Sequence, residues 1–321
     1  MTNSPAESPA SPAESVADAP EWFTKALATA PQERRVDVDG TAISYLAWGD
    51  PGPRGLVLVH GGGAHAHWWD HIAPLLALDR RVLALDLSGH GDSGRRDSYT
   101  LDAWATEVLA VAADAGLTEP PTVIGHSMGG LVTLRLASLF GARLAGAVVI
   151  DSPVRNRDLT PEEMAARERR AFGPLRVYPS REDAIAHFRT IPPQETLPYA
   201  AAHVAATSVR PAPAPAAAGG PAGTGDGWTW KFDPRIFGRE PFGAAAATLN
   251  RMDCRIALFR AEHGIMSAQM SQILYDRLGR VAPVIEIPAA AHHIMLDQPV
   301  ALIAALRTLL SDWDHSRPPS I

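Results

Sequence analysis

Residues 125–130, Gly-His-Ser-Met-Gly-Gly, are the stretch of this 321-residue sequence that decides the fold. They follow the apolar run Thr122-Val123-Ile124 and precede an apolar stretch with helical spacing, which predicts a strand, a sharp turn and a helix. A serine in such a turn has a strained backbone, so the residues two positions away must be glycine or nearly so. Its hydroxyl is then exposed at the carboxyl edge of a sheet, where the helix N-terminus faces any oxyanion. Ser127 is therefore the candidate nucleophile, and the alternative is a serine that only caps a glycine-rich helix.

Apolar runs alternate with helical stretches on both sides of this turn. The runs are typical of strands buried on both faces of a parallel sheet, and they lie at 55–60, 81–87, 122–124, 147–150, 256–260 and 284–287. Helical periodicity separates them at 68–78, 101–115, 128–139 and 299–310. The alternation predicts a mostly parallel, doubly wound α/β sheet.

Composition divides the chain into a tail, a core and an insertion. Residues 1–30 begin with a Ser-, Pro-, Ala- and Glu-rich stretch, and we predict a disordered tail there. Residues 31–152 and 253–315 carry the alternation and form the predicted core. Residues 153–252 lack it and are predicted to form a helical lid, which contains a Pro/Ala/Gly-rich loop at 211–227.

Charge and cysteine content exclude several kinds of partner. The net charge of −6, from 29 basic and 35 acidic residues, gives no reason to expect nucleic acid or an anionic membrane. We found no apolar run of about 18 residues and no secretory signal, and we therefore predict a cytoplasmic protein without membrane association. The single cysteine, Cys254, excludes an internal disulfide and a cysteine-based metal cluster.

A glycine-rich segment precedes the serine turn along the chain. Residues 60–64, His-Gly-Gly-Gly-Ala, follow a buried strand, and glycines there allow a backbone N–H to approach a substrate carbonyl. We predict an oxyanion hole formed by the amides of Gly62 and Met128, with Gly63 as the alternative donor.

A serine nucleophile needs a histidine base, and the end of the chain supplies two candidates. Residues 289–293, Ala-Ala-Ala-His-His, follow a strand and precede the last helix. A loop at that edge of the sheet can reach back over the serine turn. His292 is the predicted base, and His293 is the alternative.

With these segments the chain resembles the α/β-hydrolase superfamily, in its lid-bearing serine esterase and C–C hydrolase branch. The resemblance rests on residues 60–69, the stretch Asp-Leu-Ser-Gly-His-Gly-Asp-Ser at 86–93, the serine turn and His292. It implies the α/β-hydrolase fold and a structural role for three polar residues of the second stretch, Asp86, His90 and Ser93. We expect a small-molecule substrate, no cofactor, and a pocket lined by Gly63, His126, Trp228 and Trp230.

The acid of the triad stays open between two carboxylates. The family usually places an Asp after the strand at 256–260, but residues 261–266 here read Ala-Glu-His-Gly-Ile-Met. Asp151 ends the preceding core strand, a position that some members use, and Glu262 lies in the usual loop. Because an acid at the carboxyl end of a strand suits the histidine, we favour Asp151.

One competing motif suggests a metal site. Residues 65–71, His-Ala-His-Trp-Trp-Asp-His, resemble the His-x-His-x-Asp-His of metallo-β-lactamase-like hydrolases. One extra residue precedes the Asp, which would move that ligand off its position. We therefore predict no metal.

The predicted reaction is hydrolysis of a carboxylic ester or related acyl bond of a small, mainly apolar substrate through an acyl-enzyme. A serine at the turn argues against haloalkane dehalogenase and epoxide hydrolase chemistry, since both need a carboxylate there. C–C bond hydrolysis and perhydrolysis on the same triad are alternatives. A non-catalytic ligand-binding protein with this fold is the alternative from another class.

Overall fold

An eight-stranded sheet carries every element of the candidate site. The computed structural model describes residues 18–154, 160–172, 175–213, 224–238 and 252–316. In chain order the strands of these residues are β1 (Gln32–Val38), β2 (Thr41–Trp48), β3 (Gly55–Val59), β4 (Arg81–Leu85), β5 (Thr122–His126), β6 (Gly146–Ile150), β7 (Val209–Pro213), β8 (Thr224–Trp230), β9 (Arg255–His263) and β10 (Val284–Ala291).

Helices connect these strands and cover both faces of the sheet. The α-helices of the described residues are α1 (Glu21–Ala28), α2 (Ala73–Leu76), α3 (Leu101–Asp114), α4 (Met128–Phe140), α5 (Pro161–Phe172), α6 (Arg181–Ala186), α7 (Pro198–Thr207), α8 (Ala268–Arg277), α9 (Ile294–Asp297) and α10 (Pro299–His315). Short 3₁₀ helices are formed by Ala66–Trp69, Gly141–Arg143 and Pro234–Phe237. No helix within the described ranges combines the length and the apolar character needed to cross a membrane.

The order of strands across the sheet is β1-β2-β4-β3-β5-β6-β9-β10. β2 runs antiparallel to both of its neighbours, β1 and β4. The other neighbouring pairs, among β4, β3, β5, β6, β9 and β10, are parallel. This confirms the predicted doubly wound, mostly parallel sheet. Parallel strands have their carboxyl ends at one edge, so the loops that follow β3, β5, β6 and β10 meet there.

Burial explains why the strands read as unbroken apolar runs. All five residues of β3, β4, β5 and β6 are buried, since helices cover both faces of these strands. One face packs mainly on α3 and α4, with Trp104, Val108 and Leu131 in that cluster. The other packs on α10 and the segment around Trp69. The segment predicted as one helix at 68–78 is instead a 3₁₀ turn followed by the short α2, which contains Pro74 at its start.

The prediction of a disordered tail over residues 1–30 is wrong for residues 21–28, which form α1. Phe23 is completely buried, and its ring lies 4.7 Å from that of Tyr199 and 5.3 Å from that of His71. A short apolar face with Trp22, Phe23 and Ala26 is enough to dock this helix, although the surrounding composition is typical of disorder. Residues 1–17 lie outside the described residues.

The insertion contains a two-stranded hairpin in addition to its helices. The prediction of a loop over residues 211–227 is wrong at both ends. Residues 209–213 and 224–230 pair as the strands β7 and β8, with Pro211 opposite Trp228. Proline is tolerated here because an edge strand needs fewer ladder donors. The remainder of that predicted loop, residues 214–223, lies outside the described residues.

Candidate active site

Ser127 lies in the turn between β5 and α4 with φ 54° and ψ −117°, a strained conformation for a residue with a side chain. Glycine is required on both sides by sterics. A β-carbon at Gly125 would overlap the carbonyl oxygen of Gly129, and one at Gly129 would overlap that of Val59. Ser127 is partly exposed although its neighbours His126 and Met128 are buried. The sharp turn therefore presents the hydroxyl at the carboxyl edge of the sheet.

His292 is the histidine that reaches this hydroxyl. It follows β10 directly, and its Nε2 lies 3.0 Å from Oγ of Ser127. The ring is almost fully buried. His293, the alternative base, points elsewhere, since its Nε2 donates to the carbonyl oxygen of Ile191 at 3.1 Å.

Asp151 is the carboxylate in contact with His292. It follows β6 directly and is completely buried, and its Oδ2 lies 2.7 Å from Nδ1 of His292. Three backbone N–H groups also donate to this carboxylate, from Ala261 at 3.3 Å, Ile265 at 2.8 Å and Met266 at 3.2 Å. The loop in which the family usually carries its acid therefore binds the acid of the neighbouring strand.

Gly264 makes this arrangement sterically possible. A β-carbon at Gly264 would overlap the Asp151 carboxylate. Glu262, the alternative acid, is exposed near the end of β9, and its Oε2 accepts from the backbone N–H of Ala289 at 2.7 Å. It holds the turn that leads to His292 and does not pair with the histidine ring.

The two predicted oxyanion donors lie side by side. Met128 is the first residue of α4, a position whose N–H has no intrahelical acceptor. A β-carbon at Gly62 would lie 3.8 Å from Cβ of Met128, and one at Gly61 would lie 3.3 Å from Cβ of Ser127. Gly63, the alternative donor, has φ 74°. The glycine segment thus packs directly on the serine turn.

The aromatic rings beside this segment are Phe232 and Phe237, rather than the predicted tryptophans. A β-carbon at Gly62 would lie 3.3 Å from the Phe237 ring, and one at Gly63 would lie 3.9 Å from the Phe232 ring. Trp228 and Trp230 pack instead within the lid, on the cluster that contains Tyr178. All four belong to one aromatic stretch of sequence, but β8 ends at Trp230 and the chain then turns toward the core.

Backbone contacts hold the segment at 231–237 in this position. The N–H of Gly91 donates to the carbonyl oxygen of Lys231, and the N–H of Asp233 donates to that of Gly89, each at 2.7 Å. Lys231 also pairs with Asp92 at 2.7 Å. The lid is therefore attached to the turn at 86–93, which no sequence signal indicated.

That turn has the structural role which the family resemblance implied. The buried carboxylate of Asp86 accepts from the backbone N–H groups of Ala66 at 2.7 Å and Asp92 at 2.8 Å. The hydroxyl of Ser93 donates to the carbonyl oxygen of Asp86. Burial raises the pKa of Asp86 to about 6 despite these hydrogen bonds. His90 is buried beside His60, with 4.7 Å between the ring centroids.

The histidines of the segment at 65–71 have separate partners. His65 Nε2 lies 2.8 Å from the hydroxyl of Ser208, and His71 Nε2 lies 2.7 Å from the carbonyl oxygen of Met295. His67 instead binds Asp70 at 2.9 Å, and His203 of α7 binds the same carboxylate oxygen at 2.8 Å. The segment therefore joins the lid helix α7 to the core.

The pKa shifts of His67 and Asp70 favour the charged form of both side chains. Burial lowers the pKa of His67, but the hydrogen bond and charge of Asp70 outweigh it, and the pKa is raised. Burial raises the pKa of Asp70, but hydrogen bonds from His203 and His67 outweigh it, and this pKa is lowered. An ion pair of His67 with Asp70 is the consequence.

His126, predicted to line the pocket, lies beneath the histidine base. Its Nε2 is 2.9 Å from the backbone carbonyl oxygen of His292, and its ring centroid is 4.7 Å from that of His292. Burial and the neighbouring histidines lower the pKa of His126 well below its usual range. The same causes lower the pKa of His293 to about 3. Both rings are therefore neutral near pH 7.

Comparison with known proteins identifies the class. The model of the alpha/beta hydrolase family matches residues 56–306, and the chain therefore belongs to this family. An esterase of Mycobacterium tuberculosis is 28% identical over 279 residues, which cover 85% of this chain and 88% of that esterase. A monoacylglycerol lipase of Mycolicibacterium smegmatis is 36% identical over 130 residues, or 37% of this chain and 45% of the lipase.

Solved structures have the same fold. A crystal structure of a Mycobacterium tuberculosis esterase gives a TM-score of 0.67 at 23% identity and covers 95% of this chain and 100% of that chain. The structure of E-2-(acetamidomethylene)succinate hydrolase gives a TM-score of 0.72 at 17% identity, with 88% and 99% coverage. The predicted α/β-hydrolase fold is thus confirmed. The family match and the hydrolase relatives in sequence support a hydrolase.

Proposed function

We propose that this protein is a serine hydrolase that cleaves a carboxylic ester of a small, mainly apolar substrate through an acyl-enzyme. The observation that carries the proposal is the hydrogen-bonded chain from Ser127 to His292 at 3.0 Å and on to Asp151 at 2.7 Å. A nucleophile, a base and a carboxylate that orients the base are the parts this chemistry needs.

The geometry supports a two-stage reaction. His292 Nε2 takes the proton of Ser127 as Oγ attacks the ester carbonyl carbon, and the oxyanion accepts hydrogen bonds from the amides of Gly62 and Met128. His292 then gives the proton to the leaving alcohol, which completes the acyl-enzyme. In the second stage His292 takes a proton from water as the water attacks the acyl carbon. The oxyanion then collapses, and the proton returns to Ser127 as the acid leaves.

Asp151 acts on His292 and not on the substrate. It holds the proton on Nδ1, so that Nε2 is free to accept, and it stabilises the imidazolium that forms in each stage. The three backbone donors fix the carboxylate in that orientation.

The surroundings of the serine support an apolar substrate. The rings of Phe232 and Phe237 and the side chain of Met128 border the glycine segment. The similarity to esterases and lipases supports an ester as the bond that is cleaved. The paired serine, histidine and carboxylate favour catalysis over ligand binding alone, since a binding protein has no need of this order of contacts.

Replacement of Ser127 by alanine tests the proposal. We expect hydrolysis of p-nitrophenyl acetate, butyrate and octanoate to fall by about 10⁶-fold in kcat, the loss found when a hydrolase nucleophile is removed. Labelling by a fluorophosphonate should disappear as well. The control is Ser311→Ala, on the exposed face of α10, which should retain both. Retained labelling of Ser127→Ala would overturn the assignment of the nucleophile.

A further inference from the structure

The turn that carries His292 has its backbone bound by side chains. It connects the end of β10 to α9. Just before the histidine, the N–H of Ala291 donates to Oδ2 of Asp297 at 2.6 Å. Just after it, the N–H of His293 donates to Oε1 of Gln194 at 2.8 Å. The backbone on both sides of the candidate base is therefore held by side chains that the proposed reaction does not use.

Gln194 reaches this turn from the insertion, a remote part of the chain. It is half-buried in the connection between α6 and α7, 99 positions before His293. The same connection makes two further contacts here. Nε2 of His293 donates to the carbonyl oxygen of Ile191 at 3.1 Å, and the N–H of Leu197 donates to that of Leu296 at 2.8 Å. The insertion is therefore docked on the turn along this whole connection.

Both ends of the Gln194 side-chain amide are used. Its Oε1 accepts from the backbone N–H of His293, and its Nε2 donates to Oδ2 of Asp297 at 3.1 Å. The same oxygen of Asp297 accepts from Ala291, so this pair of side chains holds the backbone before and after His292. The contacts of Gln194 need a donor and an acceptor on one side chain, which an amide supplies. Glutamate would instead place a second carboxylate against Asp297.

The ring of His292 depends on this backbone because it makes two hydrogen bonds at once. Its Nδ1 lies 2.7 Å from Asp151, and its Nε2 lies 3.0 Å from Ser127. Hydrogen bonds weaken steeply outside a narrow range of distance and angle. A backbone shift of about 1 Å would therefore weaken at least one of the two contacts, and misplacement of that size costs about 10²-fold in rate.

We propose that Gln194 and Asp297 are positioning residues for His292. They act through the backbone of the turn and hold it where the ring keeps both of its hydrogen bonds. Gln194 belongs to the insertion, so docking of the insertion and activation of the serine are coupled. The inference rests on the proposed function, because the position of the base matters only if His292 takes the proton of Ser127.

The rate of labelling by a fluorophosphonate tests the positioning, because it measures how well the serine is activated. At pH 8, Gln194→Ala should lower the second-order rate constant at least about tenfold, with final labelling still at one group per chain. A merely structural role would give fewer labelled chains at the wild-type rate. The matched control is Gln272→Ala, which should react like the wild type. Nε2 of Gln272 also donates to a carboxylate at 3.1 Å, that of Asp276, but on the exposed surface of α8.

Further variants separate the hydrogen bonds from the volume of the side chains. Gln194→Met keeps nearly the same size but neither contact, and its labelling should be as slow as that of Gln194→Ala. Burial raises the pKa of Asp297 to about 6, so its carboxyl group is ionised at pH 8. Asp297→Asn removes this charge but keeps an oxygen that can accept from Ala291 and Gln194. It should therefore be labelled at least about threefold faster than Asp297→Ala.

A proton NMR measurement observes the base without turnover. The proton between Nδ1 of His292 and Asp151 should give a far-downfield resonance in the wild type and in Gln272→Ala, and it should broaden or vanish in Gln194→Met. An unchanged resonance in Gln194→Met would overturn the inference. If the wild type is labelled and Gln194→Met is labelled equally fast, the inference fails alone. If neither is labelled but Gln194→Met loses the resonance, the proposed function fails alone. If the wild type is not labelled and shows no resonance, both fail together.

Discussion

At the scale of single residues, the carboxylate of Asp151 is the best-defined part of the candidate triad. It accepts from the ring of His292 and from the backbone N–H groups of Ala261, Ile265 and Met266. Such donors hold the orientation of the carboxylate. Glu262, only one residue from Ala261, is exposed and accepts from a backbone N–H.

Removing the charge of Asp151 and of Glu262 in separate variants shows which of them is the acid of the triad. We expect Asp151→Asn to lower kcat for p-nitrophenyl butyrate by about 10⁴-fold, because the amide favours the wrong histidine tautomer. Glu262→Gln keeps an oxygen that can accept from Ala289, and its kcat should stay within about threefold of the wild type. A larger loss in Glu262→Gln than in Asp151→Asn would reverse the assignment of the acid.

At the scale of elements, the segment at 231–237 determines which aromatic rings pack on the glycine segment at 60–64. Its backbone pairs with Gly89 and Gly91, and Phe237 is thereby brought against Gly62. β8, which precedes it, carries Trp228 and Trp230 into the lid cluster. Neighbouring parts of one aromatic stretch therefore have different roles, one at the pocket and one in lid stability.

Substrate selectivity should respond to Phe237 and not to Trp228. In Phe237→Ala we expect the ratio of kcat/KM for p-nitrophenyl octanoate to that for acetate to rise about tenfold, because the lost ring leaves space for a longer acyl chain. Trp228→Ala should leave this ratio unchanged. It should instead lower the melting temperature, because the ring packs on the lid cluster. An unchanged ratio in Phe237→Ala would remove this ring from the pocket.

The pair of His67 with Asp70, the carboxylate that His203 of α7 also binds, should depend on pH. His67 has a raised pKa, so its contribution to stability is present below its unfolded value of 6.5 and is lost as pH rises through the folded value. Asp70 has a lowered pKa, so its contribution is present above 3.8 and is lost as pH falls through the lower folded value. The ion pair of His67 with Asp70 is therefore strongest between about pH 4 and 6.5.

Urea denaturation of His67→Gln checks this expectation. Glutamine can still donate to Asp70 but carries no charge, so the free energy of unfolding should decrease relative to wild type by more at pH 5.5 than at pH 8.5. An equal decrease at both pH values would mean that the charge on His67 contributes nothing to the contact.

At the scale of the whole molecule, α1 connects parts that are far apart in sequence. Phe23 contacts Tyr199 of α7 in the lid and His71 of the core, and Trp22 also lies near Tyr199. The indole N–H of Trp48 in β2 donates to the carbonyl oxygen of Thr29, just after α1. The helix therefore contacts both the lid and the core.

We expect Phe23→Ala to lower the free energy of unfolding by about 3–5 kcal/mol, the usual effect of removing a buried phenylalanine ring. Equilibrium denaturation in urea measures it. Glu21→Ala, on the exposed face of α1, should change stability by about 0.5 kcal/mol at most. A small effect of Phe23→Ala would mean that α1 is not part of the cooperative structure.

The sequence predicted the features that depend on neighbouring residues. The apolar runs indicated the buried strands, and the glycines around Ser127 indicated the strained turn, because both follow from burial and sterics within a few residues. The position of His292 after the last strand followed from the rule that parallel strands end at one edge. Residues 21–28 were missed because composition outweighed a short apolar face.

Contacts between distant segments were decided only by the tertiary structure. Asp151 and His292 are 141 positions apart, and the sequence left two acids open because either could follow a strand at that edge. Only the folded loop at 261–266 shows that its backbone binds Asp151. The choice of Phe237 over Trp228 beside Gly62 depends likewise on where the chain turns after β8. Local sterics are encoded residue by residue, whereas the pairing of remote side chains depends on the packing of all the elements between them.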